Sequence, residues 1–355
     1  MKTLADWSQS KDNNFNLLRM LCALGVLLAH SHLVFTGSSL NWVVFSVRID
    51  HLFVAIFFAI SGFLICRSLL SSQDLKRYFI ARAARILPAL IAIIGITVFV
   101  AGPIFTTLPL GSYFNHTETW QYLLNLNLLN IHTQFTLPSV FEKAPFIGNV
   151  NASLWTLPIE VWLYAMMAMS YCLALISADI FSKASPKQLW SWLVGFGTTL
   201  LLLISVFGEK ATQTRDDDAG IMLIFICVFL TGALLYVARD QLTLKLHYAV
   251  ALWLITWAAE HTALFIASFS LSITYSVLLI AYRPHGRIRL YNRLGDYSYG
   301  TYIYGFLVQQ STLATWPQIS FLAFVALSSA VTLLCALVSW HCLERPCLQF
   351  FKQRD

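Results

Sequence analysis

One arginine and one histidine interrupt an otherwise apolar run, Phe15-Asn-Leu-Leu-Arg-Met-Leu-Cys-Ala-Leu-Gly-Val-Leu-Leu-Ala-His30. Arg19 and His30 stand eleven residues apart. In a helix, eleven steps make three full turns plus about 20°, so the two side chains share one face, roughly 16 Å apart along the axis. That is about half the hydrocarbon thickness of a bilayer. An ionisable group inside a membrane helix is costly unless it faces a polar cavity or a partner, and it reads as functional by default. Two on one stripe suggest a polar track through half a membrane. Blander readings stay open for each: Arg19 as an anchor snorkelling to the headgroups, and His30 as a neutral histidine bonded between helices.

A carboxylate that could serve His30 lies in Ser153-Leu-Trp155-Thr-Leu-Pro158-Ile-Glu160, at the outer end of a second apolar run. Glu160 beside His30 would fix the imidazole tautomer and strengthen it as a general base. The alternative is a hydrogen bond that only joins two helices. Anion chemistry has its own candidates in Lys76, Arg77, Arg82 and Arg85, four basic residues ahead of Pro88. They can dock an amphipathic helix on anionic headgroups or hold a polyphosphate, for which arginine has the matching geometry. Ser61-Gly62, in the apolar run before that loop, permits either close helix packing or a local opening of the backbone.

The elements carrying these residues are membrane helices. Of 355 residues, 58% are hydrophobic and 11% charged, with a mean hydropathy of +0.68. Soluble domains carry about 25% charged residues, so the chain is expected to be an all-α polytopic integral membrane protein. Ten spans are expected, near 15–36, 43–70, 87–108, 152–177, 189–207, 219–238, 246–260, 262–281, 297–315 and 319–342. The seventh and eighth are divided only by Glu260-His261. Placing both termini in the cytoplasm puts 19 of the 23 Lys and Arg residues on the inner side, a strong positive-inside bias. The net charge of +6 therefore sets topology and does not point to nucleic acid. The polar start leads directly into a spanning run, so no cleavable signal is expected. The seven cysteines lack metal-ligand spacing, and no metal is expected. The outer stretch 109–151, rich in Asn and aromatic residues, suits either a sugar or a membrane interface. The acidic run Asp216-Asp217-Asp218 reads as a solvated outer turn. One domain over 1–355 is expected, embedded over about 15–342, with a short basic cytoplasmic tail at 343–355.

In this order the residues resemble the membrane acyltransferase-3 family, which includes bacterial O-antigen and exopolysaccharide O-acetyltransferases. The resemblance rests on Arg19 with His30, and on Ile56-Phe-Phe-Ala-Ile-Ser61-Gly62-Phe63. It continues through Phe79-Ile-Ala-Arg82-Ala-Ala-Arg85-Ile-Leu-Pro88 and Ser153-Leu-Trp155-Thr-Leu-Pro158-Ile-Glu160. Ser298-Tyr299-Gly-Thr-Tyr302-Ile-Tyr304 and Glu344-Arg345-Pro346 complete it. Many relatives carry a histidine shortly after the Ser-Tyr motif, where this chain has Gly305, so no catalytic role is assigned there. Some relatives append a soluble hydrolase-like domain; here the sequence stops at Asp355, and the chain is expected to act alone or with a separate periplasmic partner.

The resemblance implies transfer of an acetyl group from cytoplasmic acetyl-CoA to a hydroxyl of an envelope glycan or lipid-linked sugar, at the cell inner membrane. It implies catalytic roles for His30, Glu160 and Arg19, and donor binding by Arg82, Arg85, Arg77 and Ser61. Membrane lipids are the remaining partner. Two other activities fit the buried charges: a transporter or flippase of a lipid-linked sugar, and an acyltransferase for a small molecule or lipid headgroup.

Overall fold

The computed structural model describes residues 2–10, 12–72, 74–180, 185–207 and 218–352. Lys11, Lys183, Lys210, Arg215, Arg354 and the Asp216-Asp217 pair lie outside the described residues, and the side chain of Asp218 lies outside them too.

The chain is helical almost throughout. Its elements are α1 (Leu4–Gln9), α2 (Phe15–Thr36), a hairpin of β1 (Val43–Val44) and β2 (Val47–Arg48), α3 (Ile49–Ser72) and α4 (Leu75–Ile96). Then come α5 (Gly102–Phe105), α6 (Leu110–Asn115), α7 (Thr117–Gln121), α8 (Thr156–Ile180) and α9 (Pro186–Phe207). The rest are α10 (Asp218–Val237), α11 (Leu246–Ala259), α12 (Phe265–Tyr282), α13 (Ser298–Thr315), α14 (Phe321–Ser339) and α15 (Arg345–Lys352).

Eight helices among the described residues are long and apolar enough to cross a bilayer. The two remaining expected spans are also helices. α11 is apolar but has 14 residues. α13 has 18 residues, among them Tyr299, Tyr302, Tyr304, Gln309 and Gln310. Most of α13 is buried in protein, so its polar groups face protein and not lipid. The seventh and eighth spans separate where expected: α11 ends at Ala259, and Glu260 accepts a hydrogen bond from Ser46 Oγ at 2.9 Å.

The fold comprises two compact units, each drawn from three separate segments. The first unit takes Met1–Cys22, Trp42–Tyr78 and Trp162–Leu294. α3 and α10 pack most closely there, because glycines face each other's backbone. A Cβ at Gly232 would stand 2.6 Å from the Ala59 carbonyl oxygen, and one at Gly62 would overlap the Phe229 carbonyl. α3 runs unbroken through Ser61-Gly62, so of the two readings of that pair the structure has close packing. The tail before α2 is tied in by Asn14, whose amide nitrogen donates to the carbonyls of Ile280 (3.3 Å) and Pro284 (3.1 Å).

The second unit takes Ala23–Asn41, Phe79–Val161 and Gly295–Asp355. Two stretches of π-helix interrupt its long helices. After α4, residues Thr97–Ala101 widen the turn, and the Tyr113 hydroxyl donates to the Val98 carbonyl at 2.9 Å. After α14, Trp340–Glu344 do the same. The stretch 106–150 is a packed cap and not an open loop. Asn125 exchanges two hydrogen bonds with the Gln134 backbone, and Thr106 bridges to Val140. His116 caps α7 by accepting from the Glu118 amide, and Glu142 accepts from Thr107.

Candidate active site

His30, Glu160, Arg82 and Arg85 all belong to the second unit, while Arg19, Ser61 and Arg77 belong to the first. Arg19 and His30 do share one unbroken helix, α2, as their spacing requires. Ser61 is buried in α3, and Arg77 is exposed at the start of α4, where its amide donates to the Asp74 carboxylate at 3.1 Å.

Within the second unit, α13 is the reference against which the catalytic candidates can be placed. α2 runs parallel to it: a Cβ on Gly305 would stand 2.7 Å from Leu27 Cδ1, and Gln309 Nε2 donates to Ser31 Oγ at 2.8 Å. The His30 ring lies edge-on against Phe306, with centroids 5.2 Å apart. α8 runs antiparallel to α13: the Thr156 and Tyr302 hydroxyls meet at 2.8 Å, and Glu160, one turn on, is within electrostatic reach of Tyr299. His30 and Glu160 thus sit against positions of α13 seven residues apart, about 10 Å along the axis. Side chains on a helix tilt toward its N-terminus. Because α2 and α8 run in opposite directions, His30 and Glu160 lean toward one another across that interval.

Arg85 stands between two carboxylates and two aromatic rings. It donates to Asp296 Oδ2 at 2.6 Å, and Glu344 Oε2 lies 3.5 Å from its other terminal nitrogen. The rings of Tyr299 and Trp340 both lie 5.8 Å from the guanidinium carbon. Each carboxylate is itself positioned. Asp296, just before α13, accepts from Ser298 Oγ at 2.5 Å. Glu344 accepts from Ser339 Oγ at 3.0 Å, five residues back, a spacing that the wider π turn brings onto one face. The Tyr299 hydroxyl completes the cluster by donating to the Ile86 carbonyl at 3.0 Å. Arg82 lies one turn before Arg85, half-buried, and its Nε meets no acceptor among the described residues.

Sequence reasoning assigned no role to Asp296, Glu344, Trp340, Gln309 or Gln310. Asp296 and Glu344 border the Ser298-Tyr299 and Glu344-Arg345-Pro346 motifs, but the ion pairs that join those motifs to the basic loop are long-range. Gln309-Gln310, a pair of amides inside a span, carried a readable signal. Among the described residues no group of three His, Cys, Asp or Glu side chains could hold a metal. A cavity of about 340 Å³, lined by Ile96, Val100, Leu307, Ser311, Trp316 and Val331 among others, is mostly apolar and contains none of these candidates.

Comparison with known proteins places the chain in a family. A family model described as "Acyltransferase domain" matches residues 12–340. A protein named O-acetyl transferase, from Shigella phage Sf6, is 24% identical over 94% of this chain and 96% of its own length. Nodulation protein 10 of Rhizobium leguminosarum bv. viciae is 27% identical, over 96% of this chain and 95% of its own. No solved structure matches.

Proposed function

The chain belongs to the acyltransferase-3 family and is a multi-pass membrane O-acyltransferase, and on that premise we propose that it transfers acetyl from cytoplasmic acetyl-CoA to a hydroxyl of a cell-envelope glycan or lipid-linked sugar. The observation that supports the proposal is that His30 and Glu160 stand on antiparallel helices of one compact unit, both against α13. A histidine held by a carboxylate is a general base for a hydroxyl nucleophile. The name of the phage relative supports acetyl as the acyl group.

In this reading His30 takes the proton of the acceptor hydroxyl as its oxygen attacks the thioester carbonyl. Glu160 orients the imidazole and stabilises its charged form. The tetrahedral intermediate then collapses, the carbon–sulfur bond breaks, and the CoA sulfur leaves with the proton that His30 returns. Arg82 holds the donor phosphates from the cytoplasmic side. Arg85, already engaged by two carboxylates, sets the position of Arg82 one turn away. Arg19 lines the approach along α2. The enzyme works in the inner membrane with both termini cytoplasmic, and a separate periplasmic protein can take the product onward.

The test is mass spectrometry of the surface glycan from a deletion strain complemented with wild type or His30→Ala. The acetyl mass increment should return with wild type alone. Unchanged acylation with a fall in total glycan would point instead to transport of a lipid-linked sugar.

A further inference from the structure

Two fully buried glutamines stand side by side in α13, and their surroundings fix which way each amide faces. Gln310 Nε2 lies 2.9 Å from the Phe146 carbonyl oxygen and 2.8 Å from that of Asn149. Both partners can only accept, so the amide must turn its NH₂ toward them and its carbonyl oxygen away. Gln309 is fixed in the same manner. Its Nε2 donates to the Leu27 carbonyl at 2.7 Å and to Ser31 Oγ, whose own hydrogen is directed at that same Leu27 carbonyl at 2.9 Å. The consequence is unusual for a protein interior. Gln309 Oε1, Gln310 Oε1 and the neighbouring Asn149 Oδ1 are all buried acceptors that meet no donor among the described residues. Leaving such groups unmet costs free energy that an apolar side chain would avoid.

Their location gives the group a purpose. Phe306 precedes Gln309 and Gln310 by three and four residues, so all three share a face of α13. Against Phe306 pack the ring of His30 on one side and that of Phe146 on the other, at 5.2 and 6.1 Å. Gln309 therefore bonds the residues three before and one after the histidine that the proposed function makes the base, and Gln310 follows it on the same helix. Three carbonyl oxygens repel an anion, so this is not a place for CoA phosphates. They require donors, and the hydroxyls of a sugar supply them.

We propose that Gln309, Gln310 and Asn149 form the acceptor subsite, in which their carbonyl oxygens receive hydrogen bonds from hydroxyls of the sugar and hold one hydroxyl at His30. This rests on the proposed glycan O-acetylation. The experiment uses membranes carrying the full chain, labelled acetyl-CoA, and the lipid-linked saccharide fraction extracted from the parent strain. Gln310→Leu removes the acceptor and the anchor of the loop carbonyls together. Gln310→Lys keeps donors for those carbonyls and removes the acceptor, so it separates a structural role from a binding one.

The expected result for both variants is an increase of about tenfold or more in KM for the saccharide fraction, with KM for acetyl-CoA within about twofold of wild type. Gln310→Lys with an unchanged saccharide KM overturns the subsite, whether or not Gln310→Leu folds. A rise in both KM values together also overturns it, since that marks a general loss of structure. No label transfer by the wild-type chain overturns the glycan reading and this assignment with it; transfer by wild type with unaffected variants overturns the subsite alone.

Discussion

The Arg85 guanidinium donates to the Asp296 carboxylate at 2.6 Å, and this pair fastens the basic helix α4 to the segment that leads into α13. Arg85 is one cation between two carboxylates, and Glu344, the second, is fully buried. Removing one partner of a buried ion pair leaves the remaining charge uncompensated, which costs about 3–5 kcal/mol. Arg85→Met should therefore lower the melting temperature in detergent sharply. The double variant Arg85→Met/Glu344→Gln should recover part of the loss, because it leaves fewer uncompensated charges. Equal melting of single and double variants would show that the cluster is not coupled.

His30→Ala should reduce transfer by about 10²–10⁴-fold, the usual contribution of a positioned base, with expression and melting temperature unchanged. Glu160→Gln should fall between wild type and His30→Ala, since the amide can still orient the ring but cannot stabilise its charged form. Steady-state rates with labelled acetyl-CoA measure both. Wild-type rates in His30→Ala would remove His30 from the mechanism.

Arg82 has an unmet donor nitrogen one turn from an Arg85 already paired with two carboxylates, so phosphate binding should be lost mainly with Arg82. Arg82→Ala should raise KM for acetyl-CoA about tenfold or more, as expected for a charge-assisted hydrogen bond. Arg82→Lys should restore part of that affinity, because a lysine keeps the charge without the fork of donors. An unchanged KM in Arg82→Ala would place the donor phosphates elsewhere.

Gly62 and Gly232 allow α3 and α10 to touch backbone to backbone. Gly62→Val puts side-chain atoms where the Phe229 carbonyl stands and should destabilise the first unit by about 1–3 kcal/mol or more. Size-exclusion recovery after graded heating would report it. A variant as heat-stable as wild type would mean that the two helices can separate without cost.

Tyr113 lies in the outer cap, fully buried, and burial pushes its phenol from 10 up to about 12. The folded state thus holds its proton more tightly than the unfolded chain. The stabilisation is complete below the unfolded value near pH 10 and is lost as pH rises toward 12. Alkaline unfolding should steepen across that window, and Tyr113→Phe should flatten it while lowering stability at neutral pH through the lost bond to Val98. An unaltered alkaline profile in Tyr113→Phe would exclude Tyr113 as its source.

Much of this protein was legible in its sequence because bilayers impose simple rules. Apolar runs gave the helices, even the break at Glu260-His261, because length and hydropathy alone decide whether a segment can span. The eleven-residue interval from Arg19 to His30 gave a shared face, since helical period converts spacing into direction. The ordered motifs gave the family. What the sequence could not supply was anything that depends on which helices are neighbours and which way they run. α13 was expected as a span like the others, yet its tyrosines and glutamines are paid for by burial against protein that hydropathy does not see. That Arg85 answers to Asp296 and Glu344, 211 and 259 positions away, followed from packing alone. The orientation of the Gln310 amide was decided last of all, by two backbone carbonyls whose placement belongs to the tertiary structure.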